Sequence, residues 1–245
     1  TRIESSAASD VYKRQGMFQH EWLAMREYGN ELGIELIGDL PIFVAHHSAD
    51  VWANPELFQL DENGLPAVVA GVPPDYFSKT GQKWNTVLYN WDAHKKSGWR
   101  WWRERMARML RLFDIVRIDH FRGFHSAWAV PREAENGITG VWQDGPKDEI
   151  IRHLIEVAGN ENKIIAEDLG IIPQAVVDLR LRFNLRGMAI LQFGFSDDSN
   201  ENPHHPSNIN DMQIVYTGTH DNDTLLGWWK SVSYTHLTLP TTRYV

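Results

Sequence analysis

The feature that most constrains the fold is a regular alternation of amphipathic and fully apolar segments. Apolar residues at helical spacing predict helices over 18–32, 99–113, 146–157 and 173–183. Apolar runs predict strands over 34–44, 114–119, 163–168, 187–195 and 212–221. Strands that are apolar on both faces and alternate with helices form a parallel sheet covered by helices. The sequence therefore predicts an α/β fold.

Two α/β arrangements compete, and acidic residues at strand ends distinguish them. A doubly wound nucleotide-binding sheet needs a glycine-rich turn after its first strand, and no such motif occurs. A (β/α)8 TIM barrel instead carries functional groups at the carboxyl ends of several strands. Asp39, Asp119, Glu167 and Asp221 each lie at or near the end of a predicted strand. We therefore expect a TIM barrel.

Composition narrows the class of ligand. A net charge of −8 without any basic run argues against a nucleic-acid partner and favours a neutral or polar small molecule. No window approaches the roughly 18 apolar residues of a membrane span, so no membrane partner is expected. The chain has no cysteine, which is compatible with a reducing compartment, and we expect a cytoplasmic protein. The adjacent pairs His46–His47 and His204–His205 lack metal-ligand spacing, so neither a metal nor a cofactor is expected.

Both ends of the chain differ from its middle. Residues 1–15 and 231–245 lack helical periodicity and resemble translated adapter sequence, so we interpret them as non-native tails. The alternative is two ordinary disordered tails. The partial TIM-barrel catalytic domain is then expected over residues 16–230.

The strand that ends in Arg117 and Asp119 suggests a nucleophile. Residues i and i+2 of a strand share a face, so both side chains point toward the barrel axis if Val116 and Ile118 face the helices. A guanidinium beside Asp119 is expected to lower the pKa of that carboxyl and keep it ionised for attack. The alternative is a structural ion pair at the rim of a barrel.

Two further acids complete a possible catalytic set. Glu167, partly desolvated and near another carboxylate, is expected to have a raised pKa that suits a general acid and base. Its alternative is a charge near the start of the next helix. Asp221 follows His220 and could instead cap the helix that begins after it. Two carboxyl groups about 5–5.5 Å apart are the apparatus of a retaining glycoside-cleaving enzyme.

Five motifs carry a resemblance to a known family. They read, in order, GDLPIFVAHHSADVW, GVPPDYFSKTGQKW, VRIDHFRGF, AEDLG and YTGTHDNDT. Together they resemble the 4-α-glucanotransferase family, also called amylomaltase or disproportionating enzyme, of the α-amylase clan. The likeness covers nearly all of residues 17–230. It implies that Asp119 is the nucleophile, Glu167 the acid and base, and Asp221 the stabiliser of the transition state.

The resemblance also implies substrate contacts. Arg117, His120 and His220 would contact the nucleophile or the sugar, and Asp39, at the end of the third barrel strand, would support them. The segment 44–97 would be an inserted subdomain after that strand. Its aromatic residues would border glucose rings on the acceptor side, or else pack in the insertion's own core; they are Tyr76, Phe77 and Trp84. Here the chain reads WNTVLY where the family usually has WGNPLY, which leaves these acceptor-side contacts open.

The expected function is transfer of α-1,4-glucan segments between maltooligosaccharides by a retaining double displacement. The substrates would be maltooligosaccharides and other α-glucans derived from starch or glycogen. The alternatives are a retaining α-glucan hydrolase of the same clan, which the GVPPDYFSKTGQ loop disfavours, and a non-catalytic glucan-binding domain. By family likeness the five strands are the third to the seventh of eight, so the chain as written is expected to be an internal fragment, unstable and inactive.

Overall fold

The computed structural model describes residues 2–75, 78–195 and 202–231. Within these ranges the α-helices α1 to α7 span Arg2–Glu31, Ala49–Ala53, Trp91–Lys96, Arg100–Leu112, Asp148–Ala158, Gln174–Arg182 and Leu225–Ser231. The strands β1 to β9 span Ile37–Pro41, Val68–Val72, Gln82–Val87, Ile115–Asp119, Ser126–Pro131, Val141–Asp144, Ile164–Ala166, Gly187–Ile190 and Gln213–Tyr216.

The five strands predicted from apolar runs are all present and run parallel. β1, β4 and β7 form one sheet in that order, and β8 pairs with β9 in another. A parallel bridge between Ile165 and Arg186 connects β7 to the start of β8. The prediction of an α/β fold is therefore confirmed. The strands are shorter than predicted because the residues after the apolar core of each run turn away, as in the 3-10 helix Leu191–Phe195.

Strands β2, β3, β5 and β6 form a separate sheet. It is antiparallel, with the strand order β3-β2-β5-β6. β2 and β3 belong to the predicted insertion 44–97, whereas β5 and β6 follow β4 and were not predicted. The segment after β4 therefore contributes as many strands to this sheet as the insertion does.

The helices pack through apolar faces whose residues recur at helical spacing in the sequence. In α5 the buried side chains of Ile150, Ile151 and Leu154 recur at helical spacing, and Gly159 ends the helix in a left-handed conformation, with φ +72°. α6 begins directly after Pro173, whose ring fixes a backbone angle that suits a helix start. These helices pack behind β4 and β7 and leave the carboxyl ends of the strands open.

Helix α1 is longer than the predicted 18–32. It begins at Arg2, and residues 2–15 contain neither glycine nor proline to interrupt it. Trp22 donates to the carbonyl of Leu112 at 2.8 Å, and Arg26 pairs with Asp114 at 2.7 Å. Residues 9–18 are exposed, so only the second half of the helix is held by packing. Along the part of the chain that the structure describes, no helix has the length and apolar character to cross a membrane.

Candidate active site

Arg117 is the centre of a carboxylate cluster at the end of the parallel sheet. β1 and β4 pair in a register that places Arg117 opposite Asp39. The guanidinium reaches Asp39 through Nη1 at 2.6 Å and Asp119 through Nη2 at 2.9 Å. Val116 and Ile118 are buried behind the strand, so the predicted common face of Arg117 and Asp119 is confirmed. An arginine held at both nitrogens by two acids has a fixed position.

The pKa of Asp119 shifts in the direction opposite to the prediction. Burial raises the pKa of this carboxyl, and the charges of Asp39 and Asp221 add to the rise. The guanidinium of Arg117 opposes the rise without overcoming it. The prediction considered the cation and omitted the loss of water around the carboxyl, which is the larger effect here.

Glu167 follows β7 directly and is held by two backbone groups. Its Oε2 accepts from the N–H of His120 at 2.6 Å, and its Oε1 accepts from the N–H of Leu169 at 2.7 Å. His120, the donor of the first bond, has a left-handed backbone conformation, with φ +54°. Both hydrogen bonds thus come from residues that precede α6 in the chain.

Burial raises the pKa of Glu167 to about 7, and the negative charge of Asp119 contributes. The two backbone N–H bonds and the cation of Arg117 lower the pKa but do not cancel the effect of burial. A carboxyl with this pKa exchanges its proton near neutral pH, as a general acid that later becomes a base must. The predicted direction for Glu167 is confirmed.

Asp221 lies in the turn between β9 and α7. Thr219 donates from its N–H to Asn222 Oδ1 at 2.8 Å, and Asp223 accepts from the N–H of Thr224 at 2.7 Å. The side-chain hydrogen bonds of the turn and the cap, predicted as alternatives for Asp221, are thus made by Asn222 and Asp223. The Asp221 side chain is 77% exposed, and its Oδ2 lies 3.5 Å from Nε2 of His220.

One cleft of about 760 Å³ brings the three acids together. Asp119, Glu167 and Asp221 line it, together with Arg117 and His120. Burial and the charge of Arg122 lower the pKa of His120 to about 3, so its ring is neutral at physiological pH. The cleft therefore contains a cation-paired aspartate, a protonatable glutamic acid and an exposed aspartate.

Two predicted site residues face a different cavity. Asp39 and His220 line a smaller space of about 230 Å³ with Met188 and Tyr216. Arg117 borders both cavities and donates from Nε to the Met188 sulfur at 3.4 Å. Asp39 thus acts on the main cleft through Arg117.

Comparison with known proteins identifies the family. The family model described as 4-alpha-glucanotransferase matches residues 4–242. The chain belongs to the 4-α-glucanotransferase family. It is 48% identical to the chloroplastic/amyloplastic 4-alpha-glucanotransferase DPE1 of Oryza sativa subsp. japonica over 92% of this chain, and 49% identical to the 4-alpha-glucanotransferase of Thermus thermophilus over 89% of it. The amylomaltase from Streptococcus agalactiae in complex with acarbose superimposes with a TM-score of 0.85 at 37% identity, over 94% of this chain.

The chain spans less than half the length of these relatives. It covers 40% of the rice protein, 44% of the Thermus protein and 48% of the Streptococcus structure. The family-model match reaches into both end segments, and their predicted non-native origin stays a prediction.

Of the three aromatic residues predicted on the acceptor side, the structure describes Trp84. Its ring meets the ring of His120 edge-on, with centroids 4.8 Å apart, and it also lines the cleft. Tyr76 and Phe77 lie outside the described residues. Trp84 therefore borders the cleft, and its place on the acceptor side stays a prediction.

The departure from the family's WGNPLY pattern keeps the backbone of the loop. Asn85, where the family usually has glycine, has φ +58°, and asparagine tolerates the left-handed region better than most residues. Val87, where the family has proline, donates its N–H to the carbonyl of Val44 at 3.0 Å, which a proline could not do. Both residues therefore suit the backbone that this chain adopts here.

Sequence reasoning missed a polar–aromatic pair in the cleft wall. The guanidinium of Arg122 lies 4.1 Å from the ring centre of Trp142, and both residues line the cleft. Arg122 stands in the FRGF motif, but Trp142 lies on the unpredicted strand β6. No local pattern connects the two residues, and only the pairing of β6 with β5 brings them together.

The two histidine pairs make contacts with the backbone. His46 Nε2 lies 2.7 Å from the carbonyl of Gly64, and His204 Nδ1 accepts from the N–H of Ile190 at 3.3 Å. Within the described ranges, no group of three His, Asp or Glu side chains is arranged to hold a metal ion.

Proposed function

We propose that the complete protein corresponding to this chain is a 4-α-glucanotransferase that works by a retaining double displacement. The observation that carries the proposal is the pairing of two carboxyls with different neighbours in one cleft. Asp119 is in contact with Arg117, whereas Glu167 is buried, contacts two backbone N–H groups and has a pKa of about 7. A retaining glycoside-cleaving enzyme needs one carboxylate and one carboxylic acid of this kind.

The first chemical step breaks the glycosidic bond. Asp119 attacks the anomeric carbon, the bond from that carbon to the glycosidic oxygen breaks, and the proton of Glu167 moves to the departing oxygen. The product is a glucosyl ester of Asp119 with inverted configuration. Asp221, exposed in the cleft lining, would contact the ring hydroxyls and stabilise positive charge near the anomeric carbon.

The second step regenerates the enzyme and restores the configuration. The 4-hydroxyl of an acceptor glucan gives its proton to Glu167, now a base, and attacks the anomeric carbon as the ester bond to Asp119 breaks. Water could take the place of the acceptor, which would be hydrolysis. Names of the relatives favour transfer, since all of those given above are glucanotransferases or amylomaltases. Maltooligosaccharides are the substrates we propose.

We also propose that the parallel strands belong to a (β/α)8 barrel. Their order follows the chain from β1 through β4, β7 and β8 to β9, as in a barrel wall. The proposed acids all lie at the carboxyl ends of these strands. On this proposal residues 16–230 form the barrel portion, the insertion 44–97 joins β5 and β6 in the second sheet, and the two tails are non-native.

A cytoplasmic location is proposed for this protein from its composition alone. The names of the plant relatives place them in chloroplasts or amyloplasts, so location differs within the family.

Disproportionation of maltotriose tests the proposed function. The complete protein should convert maltotriose into glucose and longer maltooligosaccharides, with little net gain of reducing ends, and Asp119→Asn should abolish this activity. A gain of reducing ends equal to the glucose released would favour hydrolysis. An unchanged rate for Asp119→Asn would refute the assignment of the nucleophile.

A further inference from the structure

Arg122 is a cation with unused hydrogen-bond donors in the cleft wall. Its Nη1 donates to the carbonyl of Ile171 at 2.9 Å, while its buried Nε has no partner among the described residues. Unlike Arg117, Arg122 is in an ion pair with no carboxylate in the part of the chain that the structure describes. A guanidinium carries five N–H donors, so most of its hydrogen-bonding capacity is unused.

Trp142 supports this guanidinium from strand β6. The guanidinium carbon of Arg122 lies 4.1 Å from the centre of the Trp142 ring, close enough for a cation–π contact. Trp128 packs against Trp142 from behind, with ring centroids 5.0 Å apart. Trp142 is nevertheless 43% exposed, and no described residue accepts a hydrogen bond from its indole N–H. The exposed part of the Trp142 side chain therefore offers an apolar ring and an N–H donor to the cleft.

Arg122 is connected to the segment that holds the acid. Its Nη1 donates to the carbonyl of Ile171, two residues after Leu169, whose N–H binds Glu167. Arg122 and Trp142 line the cleft together with Glu167, whereas Arg117, the partner of Asp119, also borders the second cavity. On the proposed function Glu167 protonates the departing oxygen, so a wall attached to its segment would meet the leaving glucan first and the acceptor glucan afterwards.

The charge of the cleft excludes an anionic ligand at this wall. Carboxyl groups of Asp75, Asp119, Glu167 and Asp221 line the same cleft. The cation of Arg117 is already neutralised by its two acid partners. One remaining guanidinium among these acids suits the hydroxyl oxygens of a neutral ligand better than a phosphate, which is usually bound by several donors.

We propose that Arg122 and Trp142 form an acceptor subsite that binds the second and later glucose units of a neutral α-1,4-glucan. Arg122 donates to ring hydroxyls, and the exposed edge of Trp142 packs against the apolar face of a sugar. The proposal rests on the proposed function, and it assigns acceptor chain-length preference to two residues outside the catalytic set.

Acceptor kinetics in the complete protein test this subsite. With α-maltosyl fluoride as a fixed donor, the KM for each of the acceptors glucose, maltose and maltotriose is measured from transfer products. Trp142→Ala should raise the KM for maltotriose about tenfold and change the KM for glucose by less than about twofold. Trp142→Phe should keep most of the affinity for maltotriose because it retains an aromatic ring. Arg122→Met should produce the same length-dependent loss.

Two controls separate this inference from its alternatives. Trp52→Ala removes a tryptophan that is 86% exposed on α2 and does not line the cleft, so it should change none of the constants. The initial release of fluoride should change much less in Trp142→Ala than the KM for maltotriose does, since a fluoride leaving group does not reach the position of a second glucose unit. An equal rise in KM for all three acceptors, or no rise, would overturn the proposal. Wild-type protein that releases no fluoride would refute the proposed function instead. In that case the affinities of wild type and Trp142→Ala for maltotriose, measured by calorimetry, would still test the subsite.

Discussion

The raised pKa of Glu167 gives the sharpest expectation about catalysis. At its ordinary pKa of 4.5, only about 0.3% of this carboxyl would carry a proton at pH 7. With a pKa of about 7, half of it does, which is about 150-fold more. Because protonation of the departing oxygen needs this proton, the rate of transfer from maltotriose should fall about tenfold for each pH unit well above 7.

Replacing the leaving group should remove that dependence. Fluoride departs without a proton, so formation of the glucosyl ester from a glucosyl fluoride does not need Glu167 as an acid. Glu167→Ala should therefore lower the maltotriose rate by about 10²–10⁴ and lower the first turnover of the fluoride donor by less than about tenfold. Alanine is preferable to glutamine here, because a Gln amide would point its NH₂ at one of the two backbone N–H groups that now bind Glu167.

The assay is a pH series with a fluoride electrode and with product analysis for maltotriose. The wild-type fluoride burst should lack the alkaline decline seen with maltotriose. A matching decline for both donors would mean that another group titrates. Equal losses for both donors in Glu167→Ala, in a variant that melts like the wild type, would show that Glu167 does not act as the acid.

Further expectations follow from single contacts. Arg117→Gln should move the acidic limb of the pH–rate profile to higher pH, because the Arg117 cation lowers the pKa of Asp119. Asp39→Asn should move the same limb to lower pH, because the Asp39 anion raises that pKa. Shifts of both variants in the same direction would contradict this reasoning. His94 is fully buried, and burial lowers its pKa from 6.5 to about 4, although a hydrogen bond to the Leu57 backbone has a smaller opposing effect. Between these values the unfolded chain binds more protons, so the stability of the complete protein should fall by up to about 3 kcal/mol as the pH drops from 6.5 to 4, and urea unfolding of its His94→Phe variant should show a weaker dependence on pH. In the complete protein, Asn85→Ala should cost about 1 kcal/mol at its positive φ and Asn85→Gly much less, measured by thermal unfolding; equal costs would refute the backbone argument. Finally, the chain expressed as given should be inactive and should not melt cooperatively by circular dichroism, since no described strand pairs with the outer edge of β1 or of β9; an active sample with a sharp transition would contradict the barrel proposal.

The sequence predicted the elements whose pattern is local. Parallel strands buried on both faces appear as apolar runs, and a shared strand face follows from spacing, which is why Arg117 and Asp119 were placed together correctly. β5 and β6 were missed because SAWAVP and VWQD are short and their stability comes from antiparallel pairing: β5 pairs with β2, more than fifty residues earlier, and β6 pairs with β5. Pairing with another strand leaves no periodic signal in either segment.

The site was less accessible to sequence reasoning than the fold, because it depends on burial and backbone direction. His120, which donates to Glu167, has a positive φ, and a histidine in the sequence does not indicate that conformation. The sign of the pKa shift of Asp119 depends on how much water its carboxyl loses, which a neighbouring arginine in the sequence does not reveal.

Burial alone would make the two central carboxyls alike, because it is the largest effect on both pKa values and raises each. The groups in contact with each carboxyl make the two electrostatically different. Asp119 contacts a cation at 2.9 Å, which favours its ionised form, whereas Glu167 has only backbone donors in contact, which orient the carboxyl. Arg117 would favour the ionised form of both acids alike if its side chain could move between Asp119 and Glu167. Its second contact, to Asp39 at 2.6 Å, prevents that movement, so the difference between nucleophile and acid depends on a residue that faces another cavity.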